Sequence, residues 1–220
     1  MNTIERCLRA TIALAGNGIF YYGSAALSGY AFTLPETYID HLIQFQDGAI
    51  GVYISFFILI FVAFLRAPIE QVYYLTWSIP LASCIASCIF LLYPTKVLML
   101  PMTSHGAWGF TLTALHLLDT PKNCLPSLHA AISVICANAL IDRHPLLRFQ
   151  WLLMVTWVGL ICWSAIAIRQ HVLLDITAGL VLGVLVLAIP RRVIIFVHYF
   201  SRFFGKSRLP LTFAVRRKQS

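Results

Sequence analysis

The stretch Arg169-Gln170-His171-Val172-Leu173-Leu174-Asp175 places an arginine, a histidine and an aspartate between two long apolar runs. Residues 149–168 and 176–190 form these runs and contain no charged side chain. Ionisable groups here are costly in lipid unless they face protein or water and have partners. On a helix, His171 and Asp175 would share a face, where the carboxylate can hold one imidazole nitrogen and leave the other free for chemistry. The alternative is a boundary cluster that only anchors a helix at the membrane surface.

The composition predicts an integral membrane protein. Of the 220 residues, 60% are hydrophobic and only 11% are charged, and the mean hydropathy is +0.82. A soluble domain is about one quarter charged. The net charge of +8 could indicate nucleic-acid binding, but eight of the sixteen Lys and Arg residues follow Pro190, among several aromatic residues. This pattern directly after a span indicates contact with anionic membrane lipids, so we predict no nucleic-acid partner.

The apolar segments predict an all-α fold, with a six-transmembrane-helix bundle over residues 1–190 and a basic, aromatic cytoplasmic tail over residues 191–220. The predicted spans are residues 10–32, 48–65, 72–93, 125–141, 149–168 and 172–189. Residues 97–118 are also long enough to span, but Pro, Ser, His and Gly residues cluster in their first half. That cluster indicates a long loop with one partly buried helix over residues 110–118.

The distribution of basic residues predicts the orientation of this bundle. Six spans place both termini on one side, together with thirteen of the sixteen Lys and Arg residues. The positive-inside rule makes that side the cytoplasm, and we expect a multi-pass protein of the plasma (inner) membrane. Only Lys96, Lys122 and Arg169 remain outside, each close to a histidine-containing segment. The predicted active site is therefore extracytoplasmic.

A second segment, Lys122-Asn123-Cys124-Leu125-Pro126-Ser127-Leu128-His129, contains the other candidate groups. Pro126 suits the first turn of a helix, which would present free amides, the Ser127 hydroxyl and His129 at the outer face. Helix N-termini bind phosphate through such amides and the helix dipole. The alternative is an ordinary helix start followed by an interfacial histidine.

Together the two segments are much more specific. Pro126-Ser127-Leu128-His129, about forty residues before Gln170-His171 and Asp175, resembles the last two signature motifs of the type-2 phosphatidic acid phosphatase superfamily. The resemblance covers roughly residues 93–183 and is greatest for the branch that contains inositol phosphorylceramide synthases and related bacterial lipid phosphatases. It implies a membrane enzyme that acts on lipid phosphates and needs no metal or other cofactor.

The resemblance also implies roles for individual residues. His171 would be the nucleophile that takes the phosphoryl group, and Asp175 would orient it and stabilise its charge. His129 would protonate the leaving alcohol and then activate the water that cleaves the phosphohistidine. Ser127 and nearby backbone amides would hold phosphate oxygens.

The sequence departs from the superfamily pattern in its cationic residues. Lys96 matches the first motif, but Thr103-Ser104 stands where that motif has Arg-Pro, and Ala165 replaces the arginine of the last motif. A phosphoryl group needs cationic support in its transition state. We therefore predict that phosphate is bound by Ser127 and by the three outer-face cations, Arg169, Lys96 and Lys122.

The leading hypothesis is a phosphatase that hydrolyses the phosphomonoester or diphosphate of a glycerolipid or isoprenoid lipid through a phosphohistidine. The first alternative is a lipid phosphotransferase that moves a phosphoryl or phospho-headgroup to an alcohol, and the second is an inactive scaffold with the same fold. Water is favoured as the acceptor because the predicted outer loops contain few polar groups for a second substrate. The sequence leaves the lipid and the oligomeric state open.

Overall fold

The computed structural model describes residues 1–98, 106–119, 122–141, 148–189 and 193. Within these ranges the regular elements are α-helices, two short strands and one 3-10 turn, in agreement with the predicted all-α class. In chain order the elements are α1 (Thr3–Leu27), β1 (Phe32–Thr33), α2 (Tyr38–Leu42), η1 (Asp47–Ala49), α3 (Ile50–Arg66), α4 (Ile69–Leu92), β2 (Thr95–Lys96), α5 (Gly106–Leu118), α6 (Leu128–Leu140), α7 (Arg148–Ala167) and α8 (Leu173–Ala188).

Several helices have the length and apolarity of membrane spans. Asp47–Arg66, Ile69–Leu92 and Phe149–Ala167 are each long and apolar enough to cross a bilayer, whereas α6 and α8 are apolar but shorter. Large side chains such as Phe57 and Phe61 project from the bundle and are about half exposed. Such a surface is suited to contact with lipid, and the chain is an integral membrane protein.

The first helix differs from the predicted span over residues 10–32. α1 begins at Thr3 because the Asn2 side chain caps it, accepting the N–H of Glu5 at 2.9 Å. It ends at Leu27, since Phe32–Thr33 is extended and pairs in parallel with Thr95–Lys96. α1 is therefore displaced toward the N-terminus relative to the predicted span, and it is not among the described helices that are long and apolar enough to cross a bilayer.

The predicted helix over residues 110–118 is present and is one turn longer, from Gly106 to Leu118. The predicted loop at residues 101–105 lies outside the described residues. The same holds for the tail at 191–220, except residue 193.

Two glycines allow α8 to lie directly against the backbone of α6. A Cβ at Gly179 would overlap the carbonyl oxygen of Ser127, and one at Gly183 would come within 2.8 Å of the carbonyl oxygen of Ala131. Small residues permit this close approach between helices in membranes. The contact fixes the first turn of α6 relative to the first turns of α8, which contain Asp175.

The connections that carry the predicted site residues meet at one end of the bundle. The N–H of Ser127 donates to the carbonyl of Asp175 at 3.0 Å. The N–H of Gln46, just before α3, donates to the carbonyl of Ala167 at the end of α7 at 3.1 Å. These hydrogen bonds join segments that are distant in sequence and place the starts of α3, α6 and α8 beside the end of α7.

Candidate active site

The turn between α7 and α8 positions His171. Two N–H groups, those of Gln170 and His171, donate to the carbonyl of Ala165, and Arg169 has φ = 60°. A non-glycine residue in this left-handed conformation costs about 1–2 kcal/mol, so surrounding contacts must hold the turn.

The predicted contact between His171 and Asp175 is present, although His171 precedes α8 and does not lie on it. Nδ1 of His171 is 2.8 Å from Oδ2 of Asp175. Oδ1 of Asp175 accepts the N–H of Val172 at 3.0 Å, so the carboxylate caps the helix while it orients the ring.

The surroundings of His171 set its protonation. The side chain of Asp175 is fully buried and His171 is 6% exposed. Burial lowers the pKa of His171, but the charge and hydrogen bond of Asp175, with a smaller contribution from Asp119, more than offset it and raise the pKa above its usual 6.5. A carboxylate on Nδ1 keeps the proton there and leaves the lone pair on Nε2.

The second motif meets the first at this free nitrogen. Ser127 is the N-cap of α6 and its hydroxyl accepts the N–H of Ala130 at 3.4 Å. The same hydroxyl lies 3.3 Å from Nε2 of His171. Nδ1 of His129 lies 3.4 Å from that nitrogen. The structure thus brings together four of the predicted site residues, His171, Asp175, His129 and Ser127.

Sequence analysis missed the residues that hold His129 from α3. The hydroxyl of Tyr53 is 2.8 Å from Nε2 of His129 and 3.2 Å from Nδ1. The ring of Phe56 lies 4.7 Å from the His129 ring, between centroids. Both residues belong to an apolar span, where an aromatic side chain gives no sequence signal beyond its residue type.

A cavity of about 460 Å³ opens beside the two histidines. Its walls come from α1, α3, α5 and α6 and are largely apolar. Its polar lining residues include Tyr21, Asp119, Asn123, His129, Gln170 and His171.

Polar groups concentrate at the histidine end of the cavity. Tyr21 donates its hydroxyl to Asp119, and the amide nitrogen of Asn123 donates to the carbonyl of Tyr21 at 2.6 Å. The Oδ1 of Asn123 and the Nε2 of Gln170 are buried and have no hydrogen-bond partner among the described residues. Buried amides normally find partners, so these two atoms retain hydrogen-bonding capacity beside the cavity that their residues line.

The three predicted phosphate-binding cations do not line the cavity. The guanidinium of Arg169 donates to the carbonyls of Asp40 at 3.2 Å and Ile43 at 3.1 Å. Lys122 donates to the carbonyl of Ser28 at 3.4 Å. Their role in phosphate binding, and that of Lys96, stays a prediction, as does the role of Ser127.

No group of three or more His, Cys, Asp or Glu side chains is placed to hold a metal ion in the part of the chain that the structure describes. Metal-independent chemistry stays a prediction for the same site.

The comparison with known families agrees with the motifs. Residues 99–202 match the family model of the PAP2 superfamily, and this segment contains His129, His171 and Asp175. No curated protein and no solved structure matches the chain. The superfamily match indicates phosphatase or related phosphoryl-transfer activity. The match over residues 99–202 supports membership in the PAP2 superfamily, the type-2 phosphatidic acid phosphatases that the last two motifs resemble.

Proposed function

We propose that this protein is a membrane lipid phosphatase that hydrolyses a lipid phosphomonoester or diphosphate through a phosphohistidine, without a metal ion. One observation carries the proposal. Nδ1 of His171 is held by Asp175 at 2.8 Å, while its Nε2 lies 3.4 Å from Nδ1 of His129 at the end of a largely apolar cavity. An oriented nucleophile with a second titratable group beside it is the arrangement that covalent catalysis needs.

The reaction has two steps in this geometry. Nε2 of His171 forms a bond to phosphorus while the ester oxygen leaves, taking a proton from His129. Water then attacks the same phosphorus and gives a proton to His129, and the bond between phosphorus and His171 breaks to release phosphate. Each step returns what the other used, so the two histidines end in their starting protonation states.

Neutral donors are the nearest groups for the phosphate oxygens. The hydroxyl of Ser127 lies 3.3 Å from Nε2 of His171 at the start of α6, and Gln170 lines the cavity directly before His171. Backbone amides at a helix start and a preorganised side-chain amide can stabilise charge that develops on phosphate. Arg169, Lys96 and Lys122 would support binding from further away, or after movement of their side chains.

The apolar walls support a lipid as the substrate. Tyr22, Ile54 and Phe57 line the cavity and are substantially exposed, at 53%, 37% and 52%, which fits a cavity that opens toward the bundle surface. A cavity that reaches the lipid-facing surface can take a phosphate head while the hydrocarbon tail stays in the bilayer. We therefore place the substrate's tail between α1 and α3.

Charge placement supports a site on the extracytoplasmic side of six spans. At the end of the bundle away from His171, Arg6 donates to the carbonyls of Phe64 and Ala67 at 2.9 and 2.8 Å. Arg9 stacks over the Tyr73 ring, 3.9 Å from its centroid. Basic residues gathered at that end fit a cytoplasmic surface.

A lipid phosphotransferase is the second candidate, and one observation favours it. Besides Asp119, which belongs to a predicted outer loop, the cavity presents the polar side chains of Asn123 and Gln170. These groups can bind the hydroxyls of an acceptor alcohol, which would replace water in the second step. Hydrolysis remains the first proposal because it needs no second bound substrate.

Phosphate release by the purified protein tests the proposal. Diacylglycerol, isoprenoid and sphingoid phosphates are offered with and without a polyol acceptor, and both free phosphate and phosphorylated acceptor are measured. The His171→Ala variant, checked for folding by its unfolding temperature, is the control. Free phosphate released only by the wild type supports the phosphatase, whereas a phosphorylated acceptor as the main product supports the transferase. A folded wild type that yields neither product contradicts both.

A further inference from the structure

The hydroxyl of Tyr53 is a buried group at the site that the proposed two-step reaction does not use. Tyr53 is 0% exposed in α3, and its oxygen lies 2.8 Å from Nε2 of His129. It is not among the residues that line the cavity. The hydroxyl therefore contacts His129 from behind, on the side away from a bound substrate.

The Tyr53 hydroxyl lies near both ring nitrogens of His129, and its contact with Nε2, at 2.8 Å, is shorter than its contact with Nδ1, at 3.2 Å. Nδ1 also lies 3.4 Å from Nε2 of His171, the nitrogen that would carry the phosphoryl group. Of the two ring nitrogens, Nδ1 is therefore the one placed to exchange a proton with the leaving alcohol or with water. This requires that Nε2 keep its own proton in both steps of the cycle.

We propose that Tyr53 is the positioning residue for His129: its oxygen accepts the Nε2–H and so reserves Nδ1 for proton transfer. This inference rests on the proposed function. When an anionic phosphate substrate is bound, His129 carries a proton on both nitrogens, gives the Nδ1 proton to the leaving alcohol and takes one back from water at the same nitrogen. The Nε2–H···O hydrogen bond to Tyr53 persists throughout, so the ring does not turn between the steps.

The hydrogen-bond partner of each histidine affects how strongly its charged form is stabilised. His171 has a carboxylate on its ring, which favours the charged imidazolium, whereas His129 has a neutral hydroxyl. A neutral acceptor orients a ring without strongly stabilising its charge. That suits a residue that must release its proton in one step and regain it in the next.

The Phe56 ring also packs against the ring of His129. Its centroid lies 4.7 Å from that of His129, and the Tyr53 ring lies 4.8 Å away. The two aromatic residues are three apart on α3 and so share one face of the helix. Removing the Tyr53 hydroxyl would leave the ring confined but its Nε2–H without an acceptor.

The test compares Tyr53→Phe with Tyr74→Phe. Tyr74 is also buried, at 1% exposure, and donates its hydroxyl to the carbonyl of Val186 at 3.0 Å, away from the site. Each variant removes a single buried hydroxyl from a long helix. General structural damage should therefore be similar in the two.

Leaving-group dependence separates positioning from structural damage. An alkyl phosphate needs a proton on its leaving oxygen, whereas p-nitrophenyl phosphate does not. We expect Tyr53→Phe to lose about tenfold to a hundredfold in kcat/KM with the alkyl phosphate, the scale known for partners of metal-bound histidines. The loss should be several-fold smaller with the aryl phosphate. Equal losses with both substrates, or a loss no larger than that of Tyr74→Phe, would overturn the inference.

A second measurement decides the inference even if no substrate is turned over. In ¹⁵N-histidine-labelled protein, neutral His129 should carry its proton on Nε2 in the wild type, with the signal assigned by its absence in His129→Gln. Tyr53→Phe should alter this tautomer preference and Tyr74→Phe should not. A neutral His129 protonated on Nδ1 in the wild type contradicts the role of Tyr53, whereas failure of phosphate release alone contradicts only the proposed function.

Discussion

The carboxylate of Asp40 accepts the backbone N–H of Leu173 at 2.7 Å. Asp40 lies on α2, between the first two long helices, and Leu173 is the first residue of the helix that contains Asp175. An anion at a helix N-terminus is favoured by the helix dipole and by the unpaired amides there. This connection therefore stabilises the start of α8, two residues beyond His171.

The contact is reinforced from both sides. The other carboxylate oxygen of Asp40 accepts the N–H and the hydroxyl of Thr37, both at 2.7 Å. In the opposite direction, the guanidinium of Arg169 donates to carbonyls of Asp40 and Ile43. These bonds account for the left-handed backbone of Arg169, since they hold a turn that would otherwise be strained.

The first prediction concerns Asp40. Asp40→Ala leaves the N–H of Leu173 unpaired, so we expect the free energy of unfolding to fall by about 1–3 kcal/mol. Thermal unfolding in detergent measures this loss. Glu36→Gln is the matched control, because Glu36 is in the same connection and, within the described part of the chain, pairs with the exposed His41. Equal unfolding temperatures for the two variants would contradict the prediction.

The second prediction concerns pH. His171 must be neutral to attack phosphorus, and its pKa is raised, chiefly by Asp175 against the effect of burial. The acid limb of kcat/KM attributable to His171 should therefore lie above pH 6.5. Asp175→Asn removes the charge that raises the pKa of His171, so the acid limb should move to lower pH. The rate should also fall by about 10³–10⁴-fold, the scale of loss when the aspartate that orients a catalytic histidine is replaced by asparagine. A limb that stays in place would show that another group controls it.

The third prediction concerns the contact between α6 and α8. Gly179→Ala places a methyl group on the carbonyl of Ser127, so the two helices must separate. We expect at least a tenfold loss of kcat and a fall of about 1–3 kcal/mol in the free energy of unfolding, as in other overpacked sites. Gly159→Ala on α7, where a Cβ would meet nothing within 4 Å, is the control. Activity in Gly179→Ala equal to that of the control would disprove the close contact.

The fourth prediction concerns topology. In a variant without native cysteines, a cysteine at the exposed Tyr38 should react with an impermeant thiol reagent applied to intact cells. A cysteine at Glu70, in the first turn of α4, should react only after the cells are opened. Six spans with cytoplasmic termini place these two positions on opposite sides. Labelling of Glu70→Cys from outside would reverse the proposed orientation.

The fifth prediction concerns the absence of a metal from the reaction. Turnover should be unchanged by EDTA and should be inhibited by vanadate, which mimics five-coordinate phosphorus. Phosphate release before and after dialysis against EDTA measures the first effect. Loss of activity that Mg²⁺ restores would contradict the metal-free mechanism.

The sequence predicted the contact between His171 and Asp175 because the two residues are close along the chain. They are four apart, but the contact forms because Asp175 in the first turn of α8 reaches back to the turn before the helix, not because both lie on one helix. Ser127 and His129 likewise flank one helix start. The two pairs meet across 42 residues of chain, and the superfamily resemblance supplied that link.

Contacts that depend on tertiary packing could not be predicted in this way. Tyr53 reaches His129 across 76 residues, and Tyr21 reaches Asp119 across 98, from helices whose order in space the sequence does not specify. Arg169, Lys96 and Lys122 are predicted to bind phosphate because no other basic residues lie on the predicted outer side. That argument does not specify which groups their side chains contact, and the guanidinium of Arg169 contacts backbone carbonyls.

The backbone contact at Gly179 and Gly183 has a consequence for how this fold can diverge. It joins α6, which contains His129, to α8 and the turn before it, which contains His171, whereas the rest of the cavity wall comes mainly from α1, α3 and α5. Mutations that reshape the wall at Tyr22, Ile54 or Phe57 need not alter the spacing between the histidines. For the proposed lipid phosphatase, substitutions on these three helices can exchange one lipid for another while the reaction stays the same.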